Sequence, residues 1–203
     1  MKRLFVVLVL FLLVSCSSQE TVSRGKSKNV EVDDMARVLF VIAHDGFQDN
    51  EFFVTKEVLS GFDVKVASSS SPAKGALGGE VVPDFNLAQA LEKIDEFDAV
   101  VFVGGPGASE FFDDNTAHKI AQNAGNVIAA ICIAPVILAN AGVLDGKKAT
   151  VWDDGKGTQK KMLENKGVAV IDKPVVVDGN VVTANGPSAA RMFGERIRQL
   201  LES

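Results

Sequence analysis

One thiol stands out among the side chains able to do covalent chemistry. Cys132 lies in Ala129-Ala130-Ile131-Cys132-Ile133-Ala134-Pro135, where an apolar run meets a segment opening with proline. Proline is tolerated in the first turn of a helix, so the thiol is expected at a sharp turn from strand to helix. A helix N-terminus offers free N–H groups and partial positive charge. Both favour a thiolate, and the expected pKa lies below the free value of roughly 8.5. The thiolate is at once the nucleophile and the species that oxidises. The competing reading is an inert cysteine buried in an apolar run, and the strand–cysteine–helix order favours the reactive one.

Other residues could serve that thiol. Glu51 closes the stretch Asp45-Gly46-Phe47-Gln48-Asp49-Asn50-Glu51 at the start of a helix. Taken alone it reads as a solvated helix residue. Placed beside a sulfur, its carboxyl would be protonated, donate to the thiolate and shuttle a proton. Gly104-Gly105-Pro106-Gly107 follows an apolar strand, and glycines let the backbone approach a ligand and present N–H groups to an oxyanion. This run does not match a dinucleotide fingerprint. Of the two histidines, His44 ends the first strand and could face a cleft, whereas His118 belongs to a surface-like helix. Asp153 and Asp154 could place a carboxylate at the rim. No cofactor and no metal are expected.

The elements that must position these residues alternate at α/β spacing, without a repeat. Buried strands are expected at 37–43, 62–67, 98–103 and 126–131, each a short apolar run. The Gly- and Ser-rich stretch 68–80 reads as a looser connection, and Lys148–Trp152 and Val168–Val170 read as further strands. Val175–Val177 and Val181–Thr183 flank Asp178-Gly179-Asn180, a hairpin signal. Helices are expected after Glu51, then across 87–94, 115–123, 135–141, 158–165 and 187–201. The fold class is three-layer α/β: an open, mostly parallel sheet, flavodoxin-like, with helices on both faces. Ligands in such folds bind beyond the C-terminal ends of strands, where the loops opening at His44, Gly104 and Cys132 should meet.

The N-terminus addresses location. Met1-Lys2-Arg3 precedes the apolar run Leu4–Val14, too short to span a bilayer, which takes roughly 20 residues. It reads as an export signal. Leu13-Val14-Ser15-Cys16 resembles a bacterial lipoprotein signal, in which the cysteine is lipidated and becomes the new N-terminus; two acyl chains give firm anchoring where one does not. The expected organisation is a signal at 1–15, a lipidated Cys16 with a polar tether to residue 35, and one domain over 36–203. The expected location is the bacterial cell envelope, on the periplasmic face of an outer membrane where one exists. With Cys16 acylated, Cys132 has no disulfide partner. The net charge of −5, without a basic block, argues against a nucleic-acid partner.

Together Val103–Gly107, Ala130–Pro135 and the stretch ending at Glu51 resemble the DJ-1/PfpI superfamily, within the class I glutamine amidotransferase-like folds. The resemblance implies that Cys132 is the nucleophile-elbow cysteine, Glu51 the protonated carboxyl contacting it, and Gly105 and Ile133 the N–H donors of the oxyanion site. It also implies a homodimer. The protease-like branch has histidine after the cysteine, where this chain has Ile133; another branch has histidine where this chain has Trp152. Gln48 replaces an often acidic residue. Peptidase chemistry is therefore disfavoured. The implied function is a cysteine-dependent enzyme acting on small reactive carbonyls, of the glutathione-independent glyoxalase or deglycase kind. Two alternatives are a stress-protective protein whose Cys132 meets an oxidant, and a non-catalytic binding domain of the envelope.

Overall fold

The computed structural model describes residues 35–203. The expected signal, Cys16 and nearly all of the expected tether lie outside the described residues. In chain order the elements are β1 (Arg37–Ile42), β2 (Asp45–Phe47), α1 (Asp49–Val58), β3 (Asp63–Ser68), β4 (Ala73–Gly75), β5 (Glu80–Val81), β6 (Phe85–Asn86) and α2 (Leu87–Glu92). Then come β7 (Ala99–Phe102), α3 (Asn115–Gln122), β8 (Val127–Ile131), α4 (Pro135–Asn140), β9 (Lys148–Ala149) and α5 (Thr158–Glu164). The chain continues through β10 (Ala169–Val170), β11 (Val175–Asp178), β12 (Val181–Ala184) and α6 (Ala190–Leu201). Among the described residues no helix is long and apolar enough to cross a membrane.

The continuous apolar runs become the middle of a seven-stranded sheet in the order β11-β12-β8-β7-β1-β3-β6. Every neighbouring pair is parallel except β11 with β12, which are joined by the Asp178-Gly179-Asn180 hairpin. Val38–Ile42 of β1 and all of β7 have no exposed surface, as parallel strands covered on both faces require. Helices α1 and α6 pack together over one face; α2, α3 and α4 pack in succession over the other. Phe52 of α1 meets Phe40 of β1 edge-to-face at 5.4 Å and Phe47 at 5.6 Å, a favoured aromatic geometry. This cluster fixes α1 against the sheet and with it the neighbouring Glu51.

Two stretches depart from their expected roles. Residues 68–80 are not merely a loose connection: β2, β4 and β5 form a separate three-stranded sheet. Asp49 ties its hairpin to α1, accepting from the N–H of Leu77 at 2.7 Å and of Gly79 at 2.6 Å. In Lys148–Trp152 only Lys148 and Ala149 are strand, and they pair with β10 outside the main sheet. Strand β12 already has β8 and β11 as neighbours, so no ladder is left for residues 150–152. Thr150 instead donates its N–H to the Thr183 hydroxyl at 2.9 Å, and Trp152 turns toward the end of β8.

Candidate functional site

The site begins with a backbone conformation. Among the described residues Cys132 is the one non-glycine with positive φ, at 62°, a left-handed geometry costing on the order of 1–3 kcal/mol. Both of its peptide groups are engaged. Its N–H donates to Ala184 O at 2.9 Å, and its carbonyl accepts from the N–H of Trp152 at 2.8 Å. Strand β12 and the residue-152 backbone thus hold the elbow that the apolar run and Pro135 predict.

Glu51 is fully buried. Its Oε2 accepts from the N–H of Gly104 at 3.0 Å, and its Oε1 has no hydrogen-bond partner. The carboxyl lies against the Cys132 thiol. Burial raises its pKa to about 8, opposed by the contacts with Cys132 and the Gly104 N–H. At neutral pH Glu51 therefore keeps its proton, and the Cys132 side chain is the group its carboxyl faces. The solvated residue suggested by sequence is corrected here: the Phe40–Phe47–Phe52 cluster draws this turn of α1 into the core.

The expected lowering of the thiol pKa is also corrected. Cys132 is pushed up to about 12, first by burial and then by the charge of an ionised Glu51. The N–H groups of Gly105 and Ile133 pull in the other direction. The helix terminus does supply donors, but Cys132 is only 8% exposed and sits beside an acid. When Glu51 holds its proton, the repelling charge is gone and the same contact becomes a donor to sulfur. The two groups titrate as a pair.

Gly104 is required by packing, since a Cβ there would meet the Cys132 Cβ at 2.5 Å and Glu51 Oε2 at 2.7 Å. Gly105 has φ of 97°, which brings its N–H to the sulfur. Above this floor opens a cavity of about 370 Å³, walled by Gln48, Pro106, Ile133, Trp152, Gln159 and Pro187. That volume suits a small molecule.

The remaining sequence candidates lie elsewhere. His44 does not line the cavity; its Nδ1 is 2.9 Å from Glu110 and 3.1 Å from the Ser69 hydroxyl. His118 Nε2 lies 2.8 Å from Phe112 O. Asp153 and Asp154 do not wall the cavity either. Asp153 accepts from the N–H groups of Gly155 and Gly157. Asp154 is held down to about 2 by the Thr158 hydroxyl and the N–H groups of Lys156 and Thr158. Among the described residues no group of three His, Cys, Asp or Glu side chains is gathered to hold a metal ion. Gln159 and Pro187 escaped the sequence reading. Each follows a turn that approaches the site only in three dimensions, and the one available signal was their position just after the expected ends of β9 and β12.

Comparison with known proteins agrees with this architecture. The model of the DJ-1/PfpI family matches residues 36–200. The chain is 36% identical to an uncharacterized protein of Methanocaldococcus jannaschii, covering all of this chain and 98% of that one. It is 34% identical to Drosophila melanogaster protein dj-1beta, over 82% of this chain and 90% of that protein. Some relatives have names that specify an activity. Caenorhabditis elegans glutathione-independent glyoxalase DJR-1.2 is 29% identical over 81% of this chain and 88% of its own. Pyrococcus furiosus deglycase PfpI is 34% identical over 74% and 90%. Among solved structures, a ThiJ/PfpI domain protein from Brachyspira murdochii superposes with a TM-score of 0.76 at 32% identity, over 82% of this chain and 96% of that one.

Proposed function

The chain belongs to the DJ-1/PfpI family, and from that premise we propose that it is a cysteine-dependent enzyme acting on small reactive carbonyls, with 2-oxoaldehydes as the substrate class. One observation carries the reading. A thiol on a constrained elbow faces a protonated, buried carboxyl and two backbone N–H groups, at the floor of a cavity sized for a small molecule.

The chemistry balances without an external oxidant. The sulfur adds to the aldehyde carbon, the C=O π bond opens, and the oxygen takes the thiol proton to give a hemithioacetal. The N–H groups of Gly105 and Ile133 hold that oxygen while it is negative. The former aldehyde carbon then loses its hydrogen as a proton and the ketone carbon gains one. The first is oxidised to a thioester and the second reduced to an alcohol. Water cleaves the C–S bond, releasing a 2-hydroxy acid and the thiol. Glu51 moves the protons: its neutral form donates, and the carboxylate left behind accepts. With Ile133 and Trp152 standing where some relatives carry histidine, no Cys–His pair forms, and the work falls to Glu51.

The test is conversion of methylglyoxal to lactate by the full chain, against Cys132→Ser. Turnover falling to the uncatalysed background in the variant is expected; equal turnover in both proteins overturns the reading. Leu13-Val14-Ser15-Cys16 supports a lipid anchor in the cell envelope, tested by alkali-stable membrane association and its loss in Cys16→Ala. Family membership supports a homodimer, which sedimentation of the full chain in detergent would register.

A further inference from the structure

We propose that Gln159 selects the substrate, by accepting a hydrogen bond from an N–H or O–H that the substrate carries beyond its reacting carbonyl. This rests on the carbonyl-enzyme reading and narrows it to 2-oxoaldehydes bearing a hydroxyl or amide donor. The first observation is an orphaned acceptor. Gln159 lines the cavity above Cys132, yet its Oε1 is buried with no hydrogen-bond partner. A buried amide oxygen without a donor is unfavourable and uncommon in folded proteins.

The neighbouring wall leaves that oxygen unsatisfied. Pro106 and Pro187 carry no N–H. The N–H groups of Gly105 and Ile133 are directed at the sulfur. The side-chain oxygen of Gln48 accepts from the N–H of Asn50, and neither the Gln48 amide nitrogen nor the indole N–H of Trp152 donates to Gln159 Oε1. A donor arriving with the ligand satisfies Oε1, and rotation about the last side-chain torsion of Gln159, a soft one, turns the amide to meet it.

The second observation is the apolar surface beside it. The indole of Trp152 is 43% exposed and stands over Gly186, where an added Cβ would lie 3.0 Å from its Cε3. With Ile133, Pro106 and Pro187 it lines the same cavity. The cavity holds more than a three-carbon oxoaldehyde. A carbonyl at Cys132, carbons along Trp152 and a donor at Gln159 match the three kinds of group in its lining.

The experiment compares kcat/KM for methylglyoxal and its 3-hydroxy derivative in the full chain, Gln159→Leu and Gln159→Glu. The wild type should favour the hydroxylated compound by roughly tenfold. Gln159→Leu should lose the preference, and Gln159→Glu, which keeps an acceptor, should retain it. No preference in the wild type, or one that survives Gln159→Leu, overturns the proposal. A second arm does not depend on turnover. Alkylation of Cys132, read on its peptide, is compared for iodoacetamide, which carries N–H donors, and methyl iodoacetate, which has none. Normalised to a free thiol, the amide-to-ester rate ratio should be elevated in the wild type and fall to unity in Gln159→Leu. If neither oxoaldehyde is turned over, the carbonyl-enzyme reading fails by itself, and this ratio decides the role of Gln159. Equal ratios in wild type and Gln159→Leu then overturn it.

Discussion

The floor and the wall of the cavity are built on different principles. At the floor, Cys132, Glu51, Gly104, Gly105 and Ile133 are joined through backbone groups and buried contacts. Each of these positions is constrained by the next, down to the space left by the absent Cβ of Gly104. The wall is made of side chains: a half-exposed indole, a glutamine with an idle oxygen, and two prolines. Little holds their identity except what they touch in the cavity. The floor is thus fixed by its own neighbours, and the wall is where a changed side chain disturbs the rest of the fold least.

The sharpest test of that division is Glu51→Gln. The amide keeps the shape and the acceptor for the Gly104 N–H but cannot move a proton. Turnover of oxoaldehydes should fall by roughly 10²–10⁴-fold, the range for a general acid–base. A loss below threefold would remove Glu51 from the chemistry and leave the floor a packing device.

The same variant separates stability from catalysis. The folded-state pKa of Glu51 is raised from 4.5 to about 8. The native state thus binds more protons than the unfolded chain between those values, and stability falls as pH rises through the window. The contribution is fully present below about pH 4.5 and gone above about pH 8. At about 1.4 kcal/mol per unit the loss amounts to several kcal/mol. Cys132, also raised, acts in the same direction only above pH 9. Denaturant titrations from pH 5 to 8.5 should show the wild type losing stability more steeply than Glu51→Gln. Parallel curves would mean that the carboxyl reaches water.

Gly104→Ala tests whether the floor is as tightly fitted as its contacts indicate. Its Cβ has no room between Cys132 and Glu51, and overpacking of this kind costs about 1–3 kcal/mol, at roughly 2–4 °C in Tm per kcal/mol for a chain of this size. Gly61→Ala is the control: no atom lies within 4 Å of the added carbon, so the effect should stay within about 0.5 kcal/mol. Equal melting shifts for the two would refute the close fit.

Much of the floor was legible in the sequence. The apolar runs 37–43, 98–103 and 126–131 announce buried parallel strands, and Cys132 between Ile131 and Pro135 announces the elbow. What failed was electrostatic. A helix terminus lowers a thiol pKa in a solvated site, but burial here outweighs it, and burial of Glu51 depends on an aromatic cluster assembled from β1, β2 and α1. The wall was nearly illegible. Trp152 drew notice only as a missing histidine, and Gln159 lies in a short helix that reaches the cavity because Trp152 leaves the β9 direction to bond Cys132 O. His44, plausible from its position after β1, is instead paired with Glu110 and Ser69.

Trp152→Ala should have the smallest effect, and an informative one. The backbone N–H of residue 152 holds the carbonyl of Cys132, and replacing the side chain leaves that bond in place. The indole lends the cavity a broad apolar face, so its loss should weaken a bulky substrate such as phenylglyoxal more than methylglyoxal. The expected change in their kcat/KM ratio is roughly fivefold, for on the order of 1 kcal/mol of apolar contact. The pH midpoint for alkylation of Cys132 should stay where it is in the wild type, whereas Glu51→Gln should move it. A midpoint that shifts in Trp152→Ala would show that the wall tunes the thiol, and the separation of chemistry below from selection above would no longer hold.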